Sequence, residues 1–592
     1  MHKLNRTDFI KMTAATALLP LWSRIAAQAE AGLGVKNFND TELLKKLNEA
    51  NDKQVELLLR SVQPGNLKFG RKIAYDFSVI AASYCSSGSG YYQSTSLVSK
   101  LLLLIQFLAD SQSADGTVNV GNLESPPDTA FLMEILGAAA AILLQNKSAE
   151  LSKVNEVMKN VLTLAGDGLA KGGVHTPNHR WVVCAALAQI NVLYPHKKYV
   201  EKIEDWLAEG VYNDKEGNYP ERSGTYSAVE NAALITISRL LKKPSLLEPV
   251  RKNLELFFYH IELNGDLVSN ESRRQDQYVA RRSTLFYLQY RYMAIRDNDK
   301  HFAAIARMIE GLKGFNEDVL DKSLFYFLEK EVLQKQLPAA SGLPDSYEKL
   351  FTTSQLLRIR RKTITTTLFG GVDWPLIIAS GRSNSPDFFS YRKGEAILKY
   401  MRLSCNFFSM GYFYSEGIRK EDNKYVLHKK LEVPYYQPLP KDKRNSQGDY
   451  KLTPSIDDRF WNKMDFKNRP ISNVKTLETT ITFIEINGTV ELNFHITGLK
   501  DVPVVLELCF MEGGKLRGVS VGDNQDSFLE KDYAEYQLGN DTIRFGPGTV
   551  THKSITDLEG ERYATHFGSL RTKGMHVYLT GVTPFKHKLT FS

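Results

Sequence analysis

At 592 residues the chain is too long for one ordinary hydrophobic core, and two or three domains are expected. With 43% apolar and 24% charged residues it is neither a disordered segment nor a multi-span membrane protein. The formal charge of +8 comes without a clustered basic tract, which argues against a nucleic-acid partner.

The amino terminus reads as a targeting segment. Lys3, Arg6 and Lys11 precede a short apolar run from Met12 to Trp22, and Ala27-Gln28-Ala29 fits the small-x-small cleavage pattern. Residues 1–29 are therefore expected to be a signal peptide, with the mature protein exported to the periplasm or secreted. Its removal lowers the net charge to +5, a mild basic balance that favours a polyanionic partner through steering. The run is shorter than the roughly 20 residues that span a bilayer, and no later segment is read as a membrane span.

From residue 30 to about 335 the chain repeats. Ser125-Pro-Pro-Asp128, Thr176-Pro-Asn-His179, Ser223-Gly-Thr-Tyr226 and Ser272-Arg-Arg-Gln275 each join a capping residue to an apolar helix, at separations of 51, 47 and 49 residues. A Ser or Thr hydroxyl satisfies a free helix N–H, and a following Pro has no N–H to lose. The helices that follow, near 130–144, 181–193 and 228–241, are apolar on all sides, while those near 151–165, 197–209, 246–260 and 299–313 are amphipathic. Buried helices alternating with half-exposed ones predict an incomplete (α/α) toroid, with further helices near 41–62 and 74–111.

A linker carrying Pro338, Gly342 and Pro344 follows, then a helical remnant to about Arg361, so residues 336–361 read as a connection. From residue 362 to 592 the texture is β-rich. Runs near 363–369, 395–405, 480–486, 490–496, 504–510, 542–545 and 576–579, with turns such as Asn487-Gly488, predict an antiparallel β-sandwich. The polar stretch 434–469 is expected to be a long surface excursion that flanks a cleft. Cys85, Cys184, Cys405 and Cys509 are scattered and read as small core residues, Cys184 on a helix and Cys509 in a strand.

The repeat places Asp128, His179, Tyr226 and Gln275 at equivalent helix starts, where partial positive charge and free N–H groups suit carboxylates. Around them stand Asn122 and Glu124; His175, Asn178 and Arg180; Tyr219, Glu221 and Arg222; and Asn270, Glu271, Arg273 and Arg274. This mixture suits β-elimination from a uronate. The C5 proton becomes acidic once the neighbouring carboxylate is neutralised, a Tyr or His removes it, and a Tyr returns one to O4. Blander readings stand beside these: Asp128 as a capping-box carboxylate, Arg273 and Arg274 as a solvated pair, and Tyr226 as a packing residue.

Asn178-His179 opening one inner helix, with Glu221-Arg222 and Tyr226 opening the next, resembles the toroid-plus-sandwich polysaccharide lyases. These include the heparinase II/III-like, alginate and chondroitin/hyaluronan lyase families. The resemblance implies Tyr226 as catalytic acid, or as both acid and base, His179 as base or charge stabiliser and Asn178 as carboxylate neutraliser. It implies substrate contacts from Arg222 and Arg274, and Arg180, Glu221, Asn270, Arg273 and Asn122 are further substrate-binding candidates. Arg382, in the polar segment Ser380-Gly-Arg-Ser-Asn384, is a candidate from the sandwich. The metal of heparinase-like members finds no convincing ligand set among His428, His495, His552 and His566, so no cofactor is expected. The expected substrate is an acidic polysaccharide or oligosaccharide containing a uronate, cleaved by a monomer or homodimer. A toroidal glycoside hydrolase is the alternative, pairing Asp128 with Glu221 or Glu221 with Glu271, as is a non-catalytic glycan-binding protein.

Overall fold

The computed structural model describes residues 39–592, apart from 275, 277–280, 372–376, 379–380, 383–384, 409–410, 457–459, 523–525 and 556–572; only the backbone is described at 377–378 and 381–382. The expected signal peptide therefore lies outside the described residues.

The first part is a series of outer–inner helix pairs. They are α1 (Thr41–Ser61) with α2 (Lys72–Cys85), α3 (Thr95–Asp110) with α4 (Pro126–Gln145), and α5 (Ser152–Lys171) with α6 (Pro177–Leu193). Then come α7 (Lys197–Ala208) with α8 (Gly224–Leu240), α9 (Leu247–His260) with α10 (Tyr287–Asp297), and α11 (Lys300–Glu310) with α12 (Asp321–Glu329). Burial separates the two rings. In α6 every residue from Trp181 to Ile190 is buried, whereas α7 buries only Tyr199 and Ile203. Inner helices touch closely: a Cβ on Gly137 of α4 would lie 2.8 Å from Cβ of Gln189 on α6. Arg291 of α10 ties the ends of the array together, donating to the carbonyls of Leu333 at 2.8 Å and Lys335 at 2.7 Å and to Asp40, ahead of α1, at 3.2 Å.

Three expectations need correction. The fourth inner helix does not start at Ser272. That residue lies in a loop, its hydroxyl bonded to Asp276, and the helix starts after a 3₁₀ turn at Ser283–Phe286. Helix α4 is long and apolar enough to cross a membrane, contrary to the reading of the sequence; 78% of its apolar window is buried in the ring, which accounts for its composition. The stretch read as linker and helical remnant carries two strands, Ser346–Phe351 and Leu356–Arg361, so the sandwich begins at Ser346.

Those strands form one edge of a nine-stranded sheet that packs on an eight-stranded sheet around an apolar core. The other expected strands are present, among them Ile364–Phe369, Ala396–Cys405 and Pro503–Phe510. Arg358, fully buried, fastens the sheet to the toroid through Glu262 at 2.8 Å and the Tyr259 carbonyl at 3.0 Å. The excursion after Lys424–Tyr436 folds on itself through the short pair Thr453–Pro454 and Trp461–Asn462. All four cysteines are free, with Cys184 buried in α6 and Cys509 buried in a strand.

Candidate active site

An outer helix between each pair of inner ones makes successive inner helices run the same way, so the starts of α4, α6 and α8 lie at one end of the ring. Two are capped by serine. Ser125 Oγ accepts from the Asp128 N–H and Ser223 Oγ from the Tyr226 N–H, each at 3.2 Å. Helix α6 starts with Pro177 and has no side-chain cap at Thr176.

Glu221 is the hub between them. Only 5% exposed, it accepts from Asn178 Nδ2 at 2.6 Å, from the Asn178 backbone N–H at 3.3 Å, and from Arg274 Nη1. Arg274 extends the chain of contacts. Its Nη2 donates to the Tyr226 hydroxyl at 3.0 Å, and its guanidinium carbon lies 4.2 Å from the centre of the Tyr226 ring. The segment bearing Arg274 is laid along 220–222: Arg273 N–H bonds the Glu221 carbonyl at 3.0 Å and Arg273 Nη1 the Pro220 carbonyl at 2.9 Å. A half-buried tyrosine hydroxyl is thus held beside a cation whose charge is balanced by a buried carboxylate.

His179 follows Asn178 in α6. Its ring meets His175 and Phe131 edge-on, at centroid distances of 5.0 and 6.1 Å, and Nδ1 has no hydrogen-bond partner among the described residues. Burial, followed by the charges of His175 and Arg274, pushes its pKa down to about 4. The imidazole is therefore uncharged near neutral pH and able to accept a proton.

The structure brings Asn178, His179, Glu221, Tyr226 and Arg274 together, with Arg273 alongside. It gives Asn178 a different part from the one the resemblance implies. The residue is fully buried and its amide hydrogens are committed to Glu221 and Thr176, so what remains is Oδ1, an acceptor that would repel a carboxylate. Asn122 donates to Asp128 at 2.9 Å. Arg222 and Asn270 join the two domains, at the carbonyls of Thr353 (3.4 Å) and Asp387 (2.6 Å). Arg180 turns away to Glu209 at the end of outer helix α7, at 2.7 Å, over the ring of Trp181. The Arg382 side chain and all of Gln275 lie outside the described residues, as does His566. His428 and His552 are separate, bonded to Glu478 at 2.9 Å and to the Gly581 carbonyl at 3.1 Å.

Sequence reasoning missed Arg71. It immediately precedes α2, another inner-helix start, pairs with Asp128, and lies 4.2 Å from the Phe131 ring while its side chain stays 48% exposed. The repeat carried back one unit from Ser125 falls past Arg71, which therefore had no signal of its own in the sequence. The candidate carboxylates of a hydrolase are all engaged. Burial opposes charge on Asp128, but Asn122, Arg71 and Ser125 hold it below the usual carboxylate range. Glu221 is bound to Arg274, and Glu271 to His260 at 2.6 Å. A general acid for glycoside hydrolysis needs a raised pKa instead.

No protein-family model matches this sequence, and no curated protein matches it. Solved structures do. The chain is similar to the chondroitin AC lyase of Streptomyces coelicolor A3, seen in complex with chondroitin sulphate, with a TM-score of 0.56 and 13% identity over 96% of this chain and 81% of that one. Heparinase III gives a TM-score of 0.56 at 11% identity, covering 96% and 88%. A Paenibacillus xanthan lyase gives 0.53 at 9% identity, covering 93% of this chain and 57% of its own. The chain has the fold of the polysaccharide lyases built from an α/α toroid and a β-sandwich.

Proposed function

We propose that this protein is a polysaccharide lyase that cleaves a uronate-containing glycan, glucuronate first among them, by β-elimination. The observation that carries the reading is the Glu221–Arg274–Tyr226 chain of contacts beside an uncharged His179.

In this reading the uronate carboxylate is met by Arg71 at the positive ends of the inner helices, and Asn178 acts as a positioning residue for Glu221. His179 takes the C5 proton. Electrons from the broken C5–H bond form the C4–C5 double bond as the C4–O4 bond breaks, and Tyr226 gives its proton to O4. Arg274 stabilises the charge left on the Tyr226 oxygen, and solvent then returns each group to its starting state. The basic, apolar and cleavable amino terminus supports action outside the cytoplasm.

The test is incubation of the full chain with a panel of uronate polysaccharides, following the ultraviolet absorbance of the unsaturated uronate. A rise that Tyr226→Phe removes is expected. Reducing ends without absorbance would establish hydrolysis, and no cleavage of any glycan that binds would leave a binding protein.

A further inference from the structure

The excursion between strands Lys424–Tyr436 and Ile471–Ile486 leaves the sandwich at the end nearest the cluster. Among the described residues, neighbouring strands follow this pair only to Leu427 on one side and Leu477 on the other. From Leu431 to Tyr436 the two strands pair with each other alone, a ribbon about 16 Å long at the strand rise. Two contacts fix which end this is. Where the neighbouring strand begins, the Ile418 N–H bonds Gln355 Oε1 at 2.6 Å, two residues past Thr353, whose carbonyl holds Arg222. The Tyr435 ring meets that of Phe408 at 6.2 Å. Phe408 follows the strand whose Arg402 pairs with Asp387, and the Asp387 carbonyl holds Asn270.

The ribbon carries a built arm, residues 437–470. Leu439 and Phe466 are buried in it, and the Phe466 ring lies 4.7 Å from that of Tyr436, whose hydroxyl accepts the Ile456 N–H at 2.7 Å. Thr453 Oγ1 accepts the Phe466 N–H at 3.1 Å, and Ser455 is buried. Alternation along the strand therefore turns Leu452, Pro454 and Ile456 outward, and Trp461, paired across from Pro454, shares their face. Leu452 and Ile456 are each 59% exposed and Trp461 63%. The Trp461 ring has no aromatic or cationic partner among the described residues. An ordered element with an apolar face turned to solvent is shaped for a partner.

Charge selects the partner. Residues 437–470 carry eight lysines and arginines against five aspartates, so +3 of the +5 expected for the processed chain belongs to this arm. Lys441, Lys451 and Lys467 are exposed, with no ion-pair partner among the described residues. Such an excess attracts a polyanion and repels a second copy of the same surface. A bilayer is opposed by Asp457 and Asp458, which stand in the sequence between Ile456 and Phe460 and are costly to bring into lipid. An acidic glycan stays in water, and the apolar C–H face of a sugar ring matches an exposed indole.

We propose that this arm is a glycan-binding surface outside the cleft. Trp461 takes the face of a sugar ring, and the lysines of the arm take carboxylate or sulfate groups of the acidic polysaccharide that the cluster cleaves. The assignment rests on reading the protein as a lyase of an acidic glycan, and it makes long chains better substrates than short ones.

Biolayer interferometry tests it, with the full chain passed over immobilised hyaluronan and alginate, and over dextran as the neutral control. Tyr226→Phe is present throughout to prevent cleavage. Retention by an acidic glycan and not by dextran is expected. Trp461→Ala should weaken it about tenfold. Lys441→Glu, Lys451→Glu and Lys467→Glu combined should weaken it further and flatten its dependence on salt. No retention by either acidic glycan, or retention that both variants leave unchanged, would overturn the proposal. So would an effect of Trp461→Ala confined to phosphatidylglycerol vesicles or to self-association in sedimentation. Elimination is assayed separately with Tyr226 intact. Arm-dependent retention without elimination would leave the arm assignment standing and the lyase reading fallen; elimination with retention indifferent to the arm would do the reverse.

Discussion

The starts of α4, α6 and α8 and the segment before α10 occupy equivalent places in the ring but are built differently. The first three pass directly from an extended residue, a capping serine in two of them, into a helix, so His179 and Tyr226 are fixed by the helix that carries them. Before α10, Ser272, Arg273 and Arg274 lie outside any helix, and α10 itself follows the turn at Ser283. That irregular stretch lets Arg274 reach back across one repeat to Glu221 and Tyr226. Regularity positions the groups proposed to move protons, and a break in regularity supplies the cation that polarises one of them.

The sharpest way to break this arrangement is Arg274→Ala. Its side chain and that of Glu221 are 10% and 6% exposed, and breaking a buried pair by removing one partner costs about 3–5 kcal/mol. Urea denaturation should register that loss, together with loss of activity. The double variant Arg274→Met, Glu221→Gln should recover most of the stability and none of the activity, which separates folding from catalysis.

Tyr226→Phe comes next. It should leave stability within about 1 kcal/mol and lower kcat/KM by about 10²–10⁴-fold, as steady-state kinetics would measure. His179→Ala should cost about 10²-fold or more, and the pH profile sharpens this prediction. Because the folded pKa is pushed down to about 4, a base at His179 stays competent through the ordinary histidine range, and the acid limb of kcat/KM should fall near pH 4. The same shift has a sign for folding. Between the ordinary 6.5 and about 4 the unfolded chain binds the extra proton, so stability is lost as pH falls through that window and is fully present above it. The smallest effect is expected of Arg180→Ala, within about 1 kcal/mol in stability and with unchanged cleavage, since its partner Glu209 is on an outer helix and 51% exposed.

The toroid was legible because helix period and cap chemistry are local: Ser125, Thr176 and Ser223 announce their helices in the sequence itself. Ser272 misled because its hydroxyl serves Asp276 instead of a helix N–H, and Asp276 is held in turn by Ser223 from the preceding repeat. The strand at Leu356–Arg361 was hidden for a related reason. Arg358 occupies an inward position that an apolar residue would normally fill, and its partners Glu262 and the Tyr259 carbonyl, far away in sequence, make that tolerable. Within the site, His179 and Tyr226 followed from the repeat. The direction of Asn178, turned inward to Glu221, and the place of Arg71 over Phe131 depend on contacts between distant segments and left no local signal.

Cleavage in heavy-oxygen water tests the central claim most directly. If His179 and Tyr226 perform elimination, mass spectrometry of the products should find no heavy oxygen incorporated by the cleavage, and fragment masses that add up to that of the intact glycan. One heavy oxygen gained for each bond cut would mean that water is the nucleophile, and the roles assigned to His179 and Tyr226 would be wrong.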